Sequence, residues 1–172
     1  MSKKTAVSVI RTLVTATTLY TLFSASIYAA QVRVEALIST KTETKLDFAD
    51  GSKRYLVAIQ REGKATGSAP LAGATMLEWG VHDVIPGVGI SGSGYLVFTT
   101  AEGDMAYLKY QMKGTPMPAQ DGRPRNLING SWDVVGSTGK LKQLQGAGVL
   151  RVNVISPNER SWILEGELVQ AP

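Results

Sequence analysis

Beyond residue 30 the apolar residues recur at every second position in short runs, each closed by glycine, proline or an Asp-Gly pair. No window holds them at the three-and-four spacing of an amphipathic helix. This pattern points to an all-β, antiparallel fold. Val32, Val34, Ala36 and Ile38 alternate over residues 31–38, and Tyr55, Val57 and Ile59 over residues 54–61, with an Asp50-Gly51 turn signal between the runs, so a hairpin is expected there. Residues 95–100 and 106–113 flank a turn with Gly103 and give the clearest hairpin. Residues 131–135, 148–155 and 162–169 supply further strands. Seven or eight strands at this spacing predict a β-barrel, with a β-sandwich as the alternative.

Four stretches read as connections. Residues 39–45 are polar, 63–73 are rich in Gly, Ala and Ser with Pro70, 85–94 carry four glycines and Pro86, and 115–125 hold three prolines and Asp121-Gly122. Neither glycine-rich stretch suits a phosphate loop. A strand, not a helix, follows residue 94, and Leu141 stands after Lys140 where a magnesium-binding hydroxyl would be needed. Arg123 and Arg125 read as solvated loop residues. Gly136, Gly139, Gly146 and Gly148 mark a sharply bent corner between two strands, and Leu141 and Leu144 predict one helical or 3₁₀ turn that lays both leucines on the sheet end.

Residues 1–30 are set apart from the fold. Lys3, Lys4 and Arg11 precede an acid-free run over residues 12–23, and small residues lead to Ala29 and Ala30, the order of a secretory signal peptide. The run is short and threonine-rich for a spanning helix of about 20 apolar residues, so export to the periplasm or beyond, without a stable membrane anchor after cleavage, is expected. Cleavage after Ala30 would leave Gln31 first, with Ala29 the neighbouring choice. Three of the 18 basic residues lie in this leader and all 14 acidic residues beyond it, so residues 31–172 carry a net charge of +1. The basic excess belongs mostly to the leader, and short pairs such as Lys53-Arg54 do not make the basic stripe that a nucleic-acid partner requires. Residues 31–172 are expected to form one domain. Without cysteine the chain has no disulfide framework and no thiolate metal site.

Chemistry is sparsely signalled. The only histidine, His82, lies in the extended run 74–84, where Glu78, Gly80 and His82 share one face and Leu77, Trp79, Val81 and Asp83 the other. A strand separates Glu78 from His82 by about 13 Å, too far for direct contact. These two are candidate acid–base residues, as are Glu165 and Glu167 on the last strand. One histidine without cysteine leaves too few strong ligands for a metal, and no cofactor motif is present. Residues 95–100 are apolar on both faces, which fits a covered sheet or an apolar cavity. Trp79, Tyr95, Phe98, Tyr107 and Tyr110 are the candidate lining, and core packing is the competing account of them.

The segments Gly136-Ser-Thr-Gly-Lys-Leu, Leu144-Gln-Gly-Ala-Gly and Trp162-Ile-Leu-Glu-Gly-Glu-Leu resemble the C-terminal half of the allene oxide cyclase-like and dirigent-like β-barrels. The likeness covers residues 94–169 and is strongest over the last 40 residues. It implies an eight-stranded, calycin-like barrel similar to exported bacterial members of that group, and it carries over no catalytic position. Two functions follow as expectations. One is a binding barrel for a small apolar molecule or a partner; the other is an isomerase or cyclase acting on a lipophilic substrate inside the barrel.

Overall fold

The computed structural model describes residues 29–118 and 125–170. Eight strands follow one another: β1 (Ala30–Asp47), β2 (Tyr55–Gly67), β3 (Thr75–Ile85), β4 (Gly89–Thr99), β5 (Met105–Met117), β6 (Arg125–Ser137), β7 (Leu144–Val154) and β8 (Glu159–Gln170). Each pairs antiparallel with its successor, and β8 pairs back with β1, so the sheet closes into a barrel and the sandwich alternative falls. A single 3₁₀ turn, Gly139–Leu141, joins β6 to β7 where one helical or 3₁₀ turn is expected from Leu141 and Leu144.

The strands outrun their sequence signals. Residues 39–45 belong to β1 and pair with β2 past a bulge between Thr40 and Thr42. Every residue of β1 from Lys41 to Asp47 is exposed, so nothing alternates in hydropathy there, although Thr40, Thr42 and Thr44 are β-branched and suit a strand. Gly63 and Gly67 lie in β2, not in a loop: a Cβ at either would run into the β1 backbone, at Leu37 and Arg33. Residues 89–94 are the first half of β4, and residues 115–117 the end of β5. The Arg123 site lies outside the described residues. Arg125 opens β6.

Inward-facing residues alternate along every strand, as the two-residue period demands. At the end of the barrel carrying the β2–β3 and β6–β7 connections, Leu71 and Leu141 are buried and join Met76, Phe98, Leu144 and Leu168 in one apolar core. That end is plugged by side chains. Ring packing there uses missing side chains: Trp132 on β6 lies in one cross-strand row with Gly148 and Gly166, and a Cβ on either glycine would come within 2.9 Å of the indole. The indole N–H donates to the Val149 carbonyl at 3.0 Å. Gly148 and its neighbour Gly166 are thus seats for an aromatic ring.

Candidate functional site

The other end of the barrel holds a cavity of about 250 Å³. Trp162, Met112, Ile128 and Val152 give it apolar walls, Arg61 and His82 line it as well, Arg160 contributes from the start of β8, and the Pro86-Gly87 turn borders its mouth. Beneath it stands a buried polar cluster on the inner face of β3, the face that sequence assigned to Glu78, Gly80 and His82.

The cluster is built by register. Arg61 on β2 is the cross-strand partner of Glu78 on β3, and its Nη1 donates to Glu78 Oε2 at 2.9 Å, with the Arg61 side chain 7% exposed and that of Glu78 not at all. Gly80, Gly94 and Tyr110 form the next row across β3, β4 and β5. With no side chain on the two glycines, the Tyr110 ring reaches over them and its hydroxyl donates to Glu78 Oε1 at 2.9 Å. Trp162 meets the same ring edge-on, with centroids 5.0 Å apart at 79°. His82 pairs with Gly92, where a Cβ would stand 2.7 Å from the imidazole Cδ2, so this glycine makes room for the imidazole.

The expected separation of Glu78 and His82 is corrected here: His82 Nε2 lies 3.1 Å from Glu78 Oε1. Backbone rise sets the distance between their Cα atoms, but the side chains lean toward each other over Gly80, whose bare Cα leaves the gap open. His82 Nε2 is also 3.1 Å from the Tyr110 hydroxyl oxygen. The single hydroxyl hydrogen of Tyr110 goes to Glu78, so both contacts of Nε2 require a proton on that nitrogen. A carboxylate therefore fixes the ring and its tautomer, and Nδ1 is left as the nitrogen for proton exchange.

Electrostatics follow from the same contacts. Burial pushes the Glu78 carboxyl upward, but the hydrogen bond from His82 and the charge of Arg61 outweigh it, and the net shift is downward. Burial, followed by the neighbouring Glu78 charge, raises the Tyr110 phenol and holds it neutral. Arg160 is lowered by burial first and by the Arg61 charge second. Two guanidinium groups thus share the cavity, and no carboxylate is among its described lining residues.

The remaining candidates divide cleanly. Phe98 is buried in the plugged end of the barrel, and Tyr110 belongs to the polar cluster. Trp79 and Tyr95 stand on the outer surface, 55% and 46% exposed, because odd-numbered positions of this stretch of β3 and β4 face outward. Tyr107 is half-buried on the same side of β5, where its hydroxyl contacts the Met105 sulfur. Glu165 is also outside, paired with Arg33, and Glu167 accepts from the Gln31 amide at 2.6 Å. Neither carboxylate reaches the cavity. Sequence reasoning passed over Arg61, Arg160 and Trp162. For Arg61 the signal existed: the alternation Tyr55, Val57, Ile59 carried one step further places Arg61 on the inner face.

No protein-family model matches this sequence, and a search of the curated proteins returns no match. Among solved structures, the chain is similar to a protein of unknown function from Clostridium acetobutylicum, at 10% identity and a TM-score of 0.54, over 83% of this chain and 97% of that one. A conserved protein of unknown function from Rhodopseudomonas palustris aligns over 85% of this chain and 99% of its own, at 11% identity and a TM-score of 0.42. The Clostridium likeness bears on the fold alone, and by its own strand pairing the chain is a closed, eight-stranded antiparallel β-barrel.

Proposed function

We propose that this protein binds a small, largely apolar molecule in the cavity at the mouth of its barrel, and that it does so as an exported protein. The observation that carries this reading is a lined recess of about 250 Å³ with apolar walls and a polar floor, in a barrel plugged at its far end. Its volume lies just under the roughly 300–1,000 Å³ typical of pockets for drug-sized ligands, which suits a compact molecule. Export rests on the leader of residues 1–30, which lies mostly outside the described residues. Mass spectrometry of an organic extract of the purified mature protein tests the binding reading. A small molecule should be released from the parent and be missing from Ile128→Trp, which fills the cavity. An equal yield from the folded variant would defeat it.

The contact of Glu78 with His82 favours a second reading, an acid–base enzyme. A histidine held through Nε2 by a carboxylate can take a proton at Nδ1 and return it elsewhere, as an isomerisation or cyclisation requires. The resemblance to allene oxide cyclase-like and dirigent-like barrels supports a lipophilic substrate for such a step. Turnover that disappears in His82→Ala while the extractable molecule still binds would favour catalysis over binding alone.

A further inference from the structure

Two buried donors in the cavity wall have no acceptor among the described residues: Arg61 Nε and Trp162 Nε1. Both residues line the cavity. Leaving a buried N–H without a partner is unfavourable, and for a guanidinium the penalty is larger. Glu78 engages Arg61 through Nη1. The other edge of the guanidinium carries Nε–H and one hydrogen of Nη2 side by side, and this spacing matches the two oxygens of a carboxylate. Arg160 adds a second positive charge at the same cavity, while Glu78 is committed below it to Arg61, Tyr110 and His82. The recess is therefore apolar on its sides, with Arg61 above its Glu78 partner and with Arg160 beside the turn before β8, where its Nη1 donates to the Ser156, Pro157 and Glu159 carbonyls.

We propose that the molecule bound here is a compact monoanion, a carboxylate-type head on an apolar body, with the head received by the Nε edge of Arg61 and the indole N–H of Trp162. The inference rests on the binding reading above and adds the chemical class of the ligand. It also assigns a role to Trp162 that packing leaves open. The ring packs edge-on against Tyr110, so it is held in place within the wall.

Matched probes separate the head group from the pocket. Binding of 3-phenylpropanoate and of 3-phenylpropan-1-ol, and likewise of hexanoate and hexan-1-ol, is measured by calorimetry on the mature protein. In parallel, the indole N–H signals of its three tryptophans are followed by NMR. In at least one pair the acid should bind roughly tenfold or more tightly than the alcohol, the margin expected for hydrogen bonds to a charged group. Only the Trp162 indole signal should move strongly. Trp162→Phe keeps an aromatic ring and removes the donor, so it should weaken the acid several-fold and the alcohol clearly less, because the hydrogen bond to a charged acceptor is the stronger one. Arg61→Lys keeps a charge opposite Glu78 but loses the planar edge, and it should weaken the acid further; if it fails to fold, Trp162→Phe still decides. Equal binding of acid and alcohol would overturn the head-group assignment and leave the cavity reading standing. Binding of neither member of either pair, with an unmoved Trp162 signal, would overturn the assignment too, and the extract experiment then judges the cavity separately.

Discussion

The hydroxyl of Tyr110 occupies the space that a Cβ on Gly80 would need, two strands away across the barrel wall. Gly80→Ala must therefore displace the phenol and break its bond to Glu78. A loss of about 1–3 kcal/mol is expected, the usual range for an overpacked core. Tyr110→Phe clears the clash, so the alanine should cost clearly less in that background. Denaturant unfolding of the two single variants and the double variant checks this, and strictly additive losses would contradict the geometry.

Arg61 and Glu78 form a buried ion pair, and removing one member leaves the other's charge uncompensated. Glu78→Gln is expected to destabilise the barrel by about 3–5 kcal/mol, the range for breaking such pairs. Urea melts give the value. A loss under about 1 kcal/mol would mean that the guanidinium finds another counter-charge.

The pH dependence follows from the lowered Glu78 carboxyl. A depressed native pKa adds stability that is fully present above the unfolded value, about 4.3, and is lost as pH falls through the native value. Asp50, Asp83 and Glu102 are lowered too, by Ser52, by Arg54 and by backbone and Thr100 hydrogen bonds respectively, but all are solvent-accessible and contribute little. Stability measured from pH 6 to pH 2 should thus fall more steeply for the parent than for Glu78→Gln. Parallel curves would refute the assignment to this group.

Glycines of the β6–β7 corner should separate by what surrounds them. Gly148→Ala places a methyl against the Glu165 carbonyl and the Trp132 ring, and a clear drop in Tm is expected. Gly136→Ala meets only Tyr107, at 3.7 Å, an ordinary contact, and should melt close to the parent. Equal melting of the two variants would show that backbone freedom, not ring seating, explains these residues.

Tryptophan exposure offers a check without mutation. Trp79 projects from the outer wall while Trp132 and Trp162 are buried. Acrylamide should quench one component of the native emission readily and the rest weakly. Uniform quenching would place Trp79 inside.

Much of the architecture was legible because alternation with period two survives wherever one face is buried, as along Val32, Val34, Ala36 and Ile38. It vanished where both faces meet solvent, as over residues 41–47, and where glycine replaced the inward side chain, as at Gly92 and Gly94. The site suffered from the same cause. On β3 the polar residues Glu78 and His82 face the core and Trp79 and Val81 face water, so hydropathy pointed the wrong way for the aromatic candidates. Strand parity still grouped Glu78 with His82. What it lacked was the partner across the sheet: no local pattern announces that Arg61 stands opposite Glu78, because that pairing is a matter of register between strands.

Leu71 and Leu141 stop one end of the barrel, so the molecule is a cup and not a pipe. Anything that enters must leave by the way it came, and the end that goes in first meets Arg61 and His82 while the trailing end stays near the Pro86-Gly87 rim. In the binding role proposed above, selectivity would be graded by depth: strict for the leading few atoms and permissive for whatever protrudes.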